Sequence, residues 1–222
     1  MRTLRLIGRG ASDTFEHLIP FAVLSLCWWA CVALIVPAPG ATVALAALTD
    51  PRRTVDRPEW REAVPIVRAN LVRGWRLALL TLPFLAVLAA NLGSYAGGSS
   101  RWALLVPLWT LLFVTALAVL LGAVSVAGLL DTPAFDSVKL ALLVALRRPF
   151  RTLAILGVLV LIVAVGTLLV VPLVMLVPAL VAAVVNRFVL DTLGIAVPDP
   201  LAPTAEREEE ERRRASASRF GP

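Results

Sequence analysis

The chain is organised in long uncharged blocks separated by short charged ones. From Leu18 to Val36 nineteen residues, LIPFAVLSLCWWACVALIV, carry no charge. As helix they extend ~28 Å, close to the ~30 Å hydrocarbon thickness of a bilayer. Further spans are predicted over residues 74–92 and 102–128. From Thr152 to Val185 thirty-four residues are uncharged, ~51 Å of helix and more than one crossing requires. Pro172 and Pro178 punctuate that run, which favours two spans, 152–171 and 172–190, over one steeply tilted, broken helix. The predicted fold is all-α, a polytopic helical membrane protein of about five spans. Its membrane domain covers 18–193, between a cytoplasmic segment 1–17 and a polar, flexible tail 194–222.

Two segments between the spans have a different pattern. Trp60, Val64, Val67, Leu71 and Trp75 recur at spacings of four, three, four and four among arginines. That lays an apolar stripe along an interfacial helix over 59–73, kinked or restarted at Pro65. In DTPAFDSVKLALLVALRR, Asp131 or Thr132 suits a helix cap and Pro133 the first helical position, while Arg147 and Arg148 gather at the far end. Its apolar centre is too short to cross, so a second interfacial helix is predicted over 133–147. The loop GSYAGGSSR makes a hairpin of spans two and three, with Tyr95 and Trp102 suited to the aromatic belt.

Arginine placement then constrains topology. The N-terminus, residues 50–76, residues 131–151 and the start of the tail are arginine-rich, and the positive-inside rule puts all of them, with both termini, in the cytoplasm. A single crossing by span one would separate the N-terminal arginines from Arg52 and Arg53. The stretch VPAPGATVALAAL resolves the conflict if Pro37, Pro39 and Gly40 form a turn on the outer side and a short return helix over 40–49 leads back. Ten residues supply only ~15 Å, so this helix is expected to re-enter, shielded by its neighbours.

Composition supports the membrane reading. Hydrophobic residues make up 59% and charged residues 16% of the 222, against ~45–50% and ~25% in soluble domains. Mean hydropathy is +0.86 and the pI is near 10.8. The net charge of +6 sits beside apolar runs instead of on a basic face with interleaved aromatics, so no nucleic-acid partner is expected and membrane lipids are. A cleaved signal peptide is disfavoured by the length of the first run, its paired tryptophans and the apolar sequence after it. Cys27, Cys31 and the single His17 provide neither a disulfide framework nor a zinc site.

Candidate chemistry is sparse. No Walker loop, HExxH, GxSxG or paired-carboxylate motif occurs, so neither enzyme activity nor a cofactor is expected. Charge falls only towards the ends of the spans, at Arg76 and at Arg187, with Asn186 and Arg187 read as the end of the last one, which argues against a proton- or ion-coupled transporter. Ser25, Thr81, Asn91, Thr110, Thr115, Ser125 and Thr167 are read as interhelical hydrogen-bonding groups. Gly122 with Gly128, and Gly157 with Gly166, are possible helix contacts but form no strict GxxxG.

The stretch LSLCWWACVALIVPAPGATVALAAL resembles the N-terminal signature of the YesL-like bacterial membrane proteins. Counting from Ser25, Trp28 and the pair Ala41-Thr42 fall at that signature's offsets without a gap. Ser25 stands where the family has asparagine, and Pro39-Gly40 where it has Gly-Pro. The stretches EWREAVPIVRANLVRGWRLALL and DTPAFDSVKLALLVALRRPFRTLAIL are similar to later family segments, extending the likeness over about residues 18–190. The resemblance implies a multi-pass protein of the bacterial plasma membrane, often encoded beside carbohydrate-uptake and glycoside-degrading genes. An accessory or regulatory role beside transporter permeases is the leading expectation, and a small solute transporter or channel using the breaks near Pro39 and Pro172 is the alternative.

Overall fold

A computed structural model of the chain describes residues 18–52, 60–96, 105–168 and 175–197. Every regular element in them is a helix: α1 (Leu18–Ala33), α2 (Ala38–Leu48), α3 (Trp60–Ala96), α4 (Val106–Leu130), α5 (Ala134–Arg147), α6 (Pro149–Leu168) and α7 (Val177–Leu193). Prolines open α2, α4 and α7 within the first two positions, where the missing N–H has no intrahelical partner to lose.

Among the described residues three helices are long and apolar enough to cross a membrane: Glu62–Tyr95 within α3, Val106–Leu130 and Pro149–Leu168. Helices α1 and α2 are apolar but shorter, at 16 and 11 residues, or ~24 and ~16 Å. Helix α7 has 17 residues, ~25 Å, and carries Asn186, Arg187 and Asp191. The described residues thus contain three membrane-length helices where five spans are expected from the hydrophobic runs. The proposed junction at Pro172 lies outside the described residues.

Helix α3 differs from its predicted division. The interfacial helix and second span are one helix of 37 residues that passes through Pro65 and Pro83, ~55 Å in all. A proline costs one intrahelical bond and a local clash. Past Pro65, Val67, Leu71 and Gly74 pack against α2, and the helix continues. At the α4–α5 corner, Asp131 adopts the left-handed conformation that ends α4, and Pro133 is the extended residue before α5. Neither Asp131 nor Thr132 makes a side-chain cap; the Thr132 hydroxyl instead meets that of Ser137 at 2.7 Å.

Burial is concentrated at one end of the bundle. In α4 the buried residues all lie between Gly122 and Leu129, in α7 they run without interruption from Ala183 to Leu190, and in α2 they number seven of eleven. Val126, Val144, Ile155, Leu159 and Phe188 form the largest shared cluster. Further along, α3 keeps only a buried stripe of Leu77, Thr81, Leu85 and Leu88, while Leu79, Leu82, Phe84 and Val87 face outward. Leu108, Leu111 and Leu112 of α4 and Val160, Leu161 and Leu168 of α6 are exposed likewise. A soluble monomer seldom carries that much contiguous apolar surface; in lipid it has a matching solvent.

Candidate functional site

The short helix α2 lies at the centre of the packed end, in contact with α1, α3, α4 and α7. Glycines on both sides let backbones approach. A Cβ at Gly74 of α3 would fall 2.4 Å from the Pro39 carbonyl carbon and 2.6 Å from the Gly40 nitrogen. At Gly40 it would meet the Leu71 Cα at 2.9 Å and the Val67 carbonyl oxygen at 3.0 Å. At Gly128 of α4 it would meet the Val43 carbonyl oxygen at 2.7 Å and the Ala46 Cβ at 2.9 Å. Small residues serve this purpose where helices pack in lipid. Gly122 also makes a helix contact, facing the Ala141 Cβ at 3.2 Å, whereas Gly157 faces open space. Gly74, which the pattern marks only as the start of a span, makes the closest approach of these.

Two tryptophans fix the hairpin of α1 and α2. The Trp28 indole N–H donates to the Thr42 hydroxyl at 3.1 Å, and that hydroxyl donates to the Ala38 carbonyl at 2.8 Å. The Trp75 indole donates to the Val36 carbonyl at 2.9 Å. Between the helices Ile35 sits at φ 60, a left-handed conformation that a β-branched side chain adopts at a steric cost. Pro37 is the residue before α2, and Ala41 is buried within it. The turn, residues 34–37, therefore lies beside Gly74 and Trp75, between Arg73 and Arg76 of α3, and Pro39 and Gly40, expected within it, instead form the first turn of α2. The turn sits ~30 Å of helix short of the far end of α3. Trp28→Phe keeps an aromatic ring but removes the donor and part of the packed volume; it is expected to cost at least about 1 kcal/mol, read as a lowered unfolding temperature in detergent.

Polar groups gather where α2, α4 and α7 end. The Arg52 guanidinium pairs with Asp50 at 2.7 Å and donates to the Leu129 carbonyl at 2.8 Å. Its hydrogen bonds to Asp50, outweighing burial, hold it above its already alkaline ordinary value. Arg73 donates to Asn70, to the Ala127 carbonyl and to Asp131. Asp191 receives Arg148 at 3.3 Å and Arg151 at 3.1 Å. Cations beside exposed helix C-termini complement the carbonyls left unbonded there.

Asn186 and Arg187 occupy an unexpected position. They lie within α7, which continues to Leu193, and are 0% and 4% exposed, so a charge expected at the end of a span is buried inside a helix. The Asn186 amide donates to the Ala46 carbonyl at 2.8 Å and to the Thr49 hydroxyl at 3.1 Å. Ser25 is fully buried, with no hydrogen-bond partner for its Oγ among the described residues. Arg147 is exposed at the last position of α5, while Arg53 and Pro172 lie outside the described residues. Among the described residues no three His, Cys, Asp or Glu side chains are grouped to hold a metal ion.

An apolar groove of about 300 Å³ runs between α1, α2 and α3, lined by Leu24, Cys27, Trp28, Cys31, Val67 and Arg68 among others. Both cysteines are free and half-buried.

These features define a class: an all-helical protein with three membrane-length helices among the described residues and a packed, arginine-bearing end organised around α2. No family model, curated protein or solved structure matches the chain.

Proposed function

We propose that the chain is an accessory or regulatory component of a membrane assembly, acting through helix contacts with a partner such as a transporter permease. The observation that carries this reading is the division of the bundle. Its ion pairs and buried helix-end bonds gather at one end, while the outer faces of α3, α4 and α6 present exposed leucine, valine and phenylalanine. Such faces suit lipid and partner helices alike. The family likeness suggests a bacterial plasma membrane and a link to carbohydrate uptake. The arginines favour a cytoplasmic packed end, and with it cytoplasmic termini.

Purification in mild detergent after crosslinking through cysteines placed at Val87 and Leu111 is expected to recover permease subunits. Recovery of a strictly solitary protein overturns the reading. Solute flux in proteoliposomes holding this chain alone overturns it in favour of a transporter or channel.

A further inference from the structure

The groove between α1, α2 and α3 has no role in the contacts described above. Its volume of about 300 Å³ is at the lower end of the range of small-molecule sites, ~300–1,000 Å³. Its walls are apolar: Leu24 and Trp28 from α1, Leu45 from α2, Val67 from α3, with Cys27 and Cys31 one helical turn apart. Arg68 is the one charged residue among those lining it. It is exposed, and no ion pair joins it to another described residue. Ile19, Val23 and Leu26, also on α1, are exposed, so in a membrane this wall of the groove belongs to a helix that meets acyl chains. An apolar wall offers water too few hydrogen-bond partners to fill such a space.

We propose that this groove is a binding site for an anionic glycerophospholipid, one acyl chain lying against Leu24, Trp28 and Leu45 and the phosphate paired with Arg68. The chain supplies the apolar match, and the guanidinium selects a negatively charged headgroup over a zwitterionic one, since planar donors suit phosphate oxygens. The site rests on the membrane reading of the chain.

The test uses the full-length protein, delipidated in a non-ionic detergent and titrated with dioleoyl phosphatidylglycerol or dioleoyl phosphatidylcholine. Native mass spectrometry counts bound lipid, and maleimide labelling reports Cys27 and Cys31. One phosphatidylglycerol is expected to bind at least fivefold tighter than phosphatidylcholine and to slow labelling of both cysteines. Arg68→Gln is expected to abolish the preference while retaining the lipid. Cys31→Phe, which fills the groove, is expected to lose the lipid, with helicity and monodispersity confirming that each variant folds. Equal affinity for the two lipids, a preference unchanged in Arg68→Gln, or lipid retained by Cys31→Phe overturns the proposal. So do cysteines already protected in the delipidated protein, because the occupant is then a protein segment. A chain found outside the membrane fraction in cells overturns the membrane reading itself, a result separate from a membrane-bound chain that takes up no lipid here.

Discussion

Gly74→Leu is expected to separate α2 from α3 and to be the most damaging single substitution in the described bundle. Even a methyl at this position would overlap the carbonyl carbon and oxygen of Pro39 at 2.4 and 2.5 Å and the Gly40 nitrogen at 2.6 Å. All three are backbone atoms, so no side-chain rotation relieves the clash. Pro39 stands in the first turn of α2, and Trp75 next to the clash holds the hairpin through the Val36 carbonyl. Displacing α2 therefore disturbs its packing on α1, α4 and α7 as well. Overpacked cores lose ~1–3 kcal/mol or more; a backbone overlap on this scale belongs at or above the upper figure. Gly157→Leu provides the matched control, because nothing lies within 4 Å of a Cβ there, and a change within about 0.5 kcal/mol is expected at such an outward position. Unfolding in detergent, followed by tryptophan fluorescence and by the monodisperse fraction on gel filtration, separates the two. Similar losses for both variants would show that leucine in a lipid-facing helix, and not the approach of α2, is what the protein rejects.

This contrast also shows which features can be read from a linear sequence. The apolar runs at Val106–Leu130 and Pro149–Leu168 survive as membrane-length helices because length and hydropathy are properties of the run itself. The break after Val36 is legible only in part: the turn falls at residues 34–37, while Pro39 and Gly40, read as part of it, lie in the first turn of α2, where a proline has no intrahelical bond to lose. Partnerships were less visible. Gly74 follows an arginine at the edge of an amphipathic stripe, and only the docking of α2, from a segment more than twenty residues earlier, gives it a role. Gly122 and Gly128 lack the GxxxG spacing because they face different elements, α5 and α2. Of the kink or restart expected at Pro65, the restart does not occur: α3 runs on through it. The count of five takes the run of α1 as a full crossing and divides 152–190 at Pro172, whereas α1 has only 16 helical residues and that junction lies outside the described residues.

Asn186→Leu is expected to give the second-largest loss, about 1–3 kcal/mol, the cost of leaving buried acceptors without a donor. A polar pair closing a long apolar run looks like the end of a span, which is why Asn186 and Arg187 read as a terminus. In the fold α7 continues to Leu193, and Asn186 caps the end of α2. Ala46 is among the last four residues of that helix, whose carbonyls have no intrahelical partner, and the Asn186 amide supplies the missing donor. It reaches the Thr49 hydroxyl as well, while that hydroxyl donates to the Leu45 carbonyl at 2.8 Å. The two side chains thus act as one unit across 137 residues of sequence. Thr49→Val and Asn186→Leu combined should consequently cost less than the sum of their separate losses, by about 0.5–3 kcal/mol. Ser25→Ala is the control: its Oγ is buried without a partner among the described residues, so its removal should leave stability unchanged or slightly raised. Strict additivity of the Thr49 and Asn186 variants would mean that α2 is held by its glycine contacts alone, with the amide adding nothing to the cap.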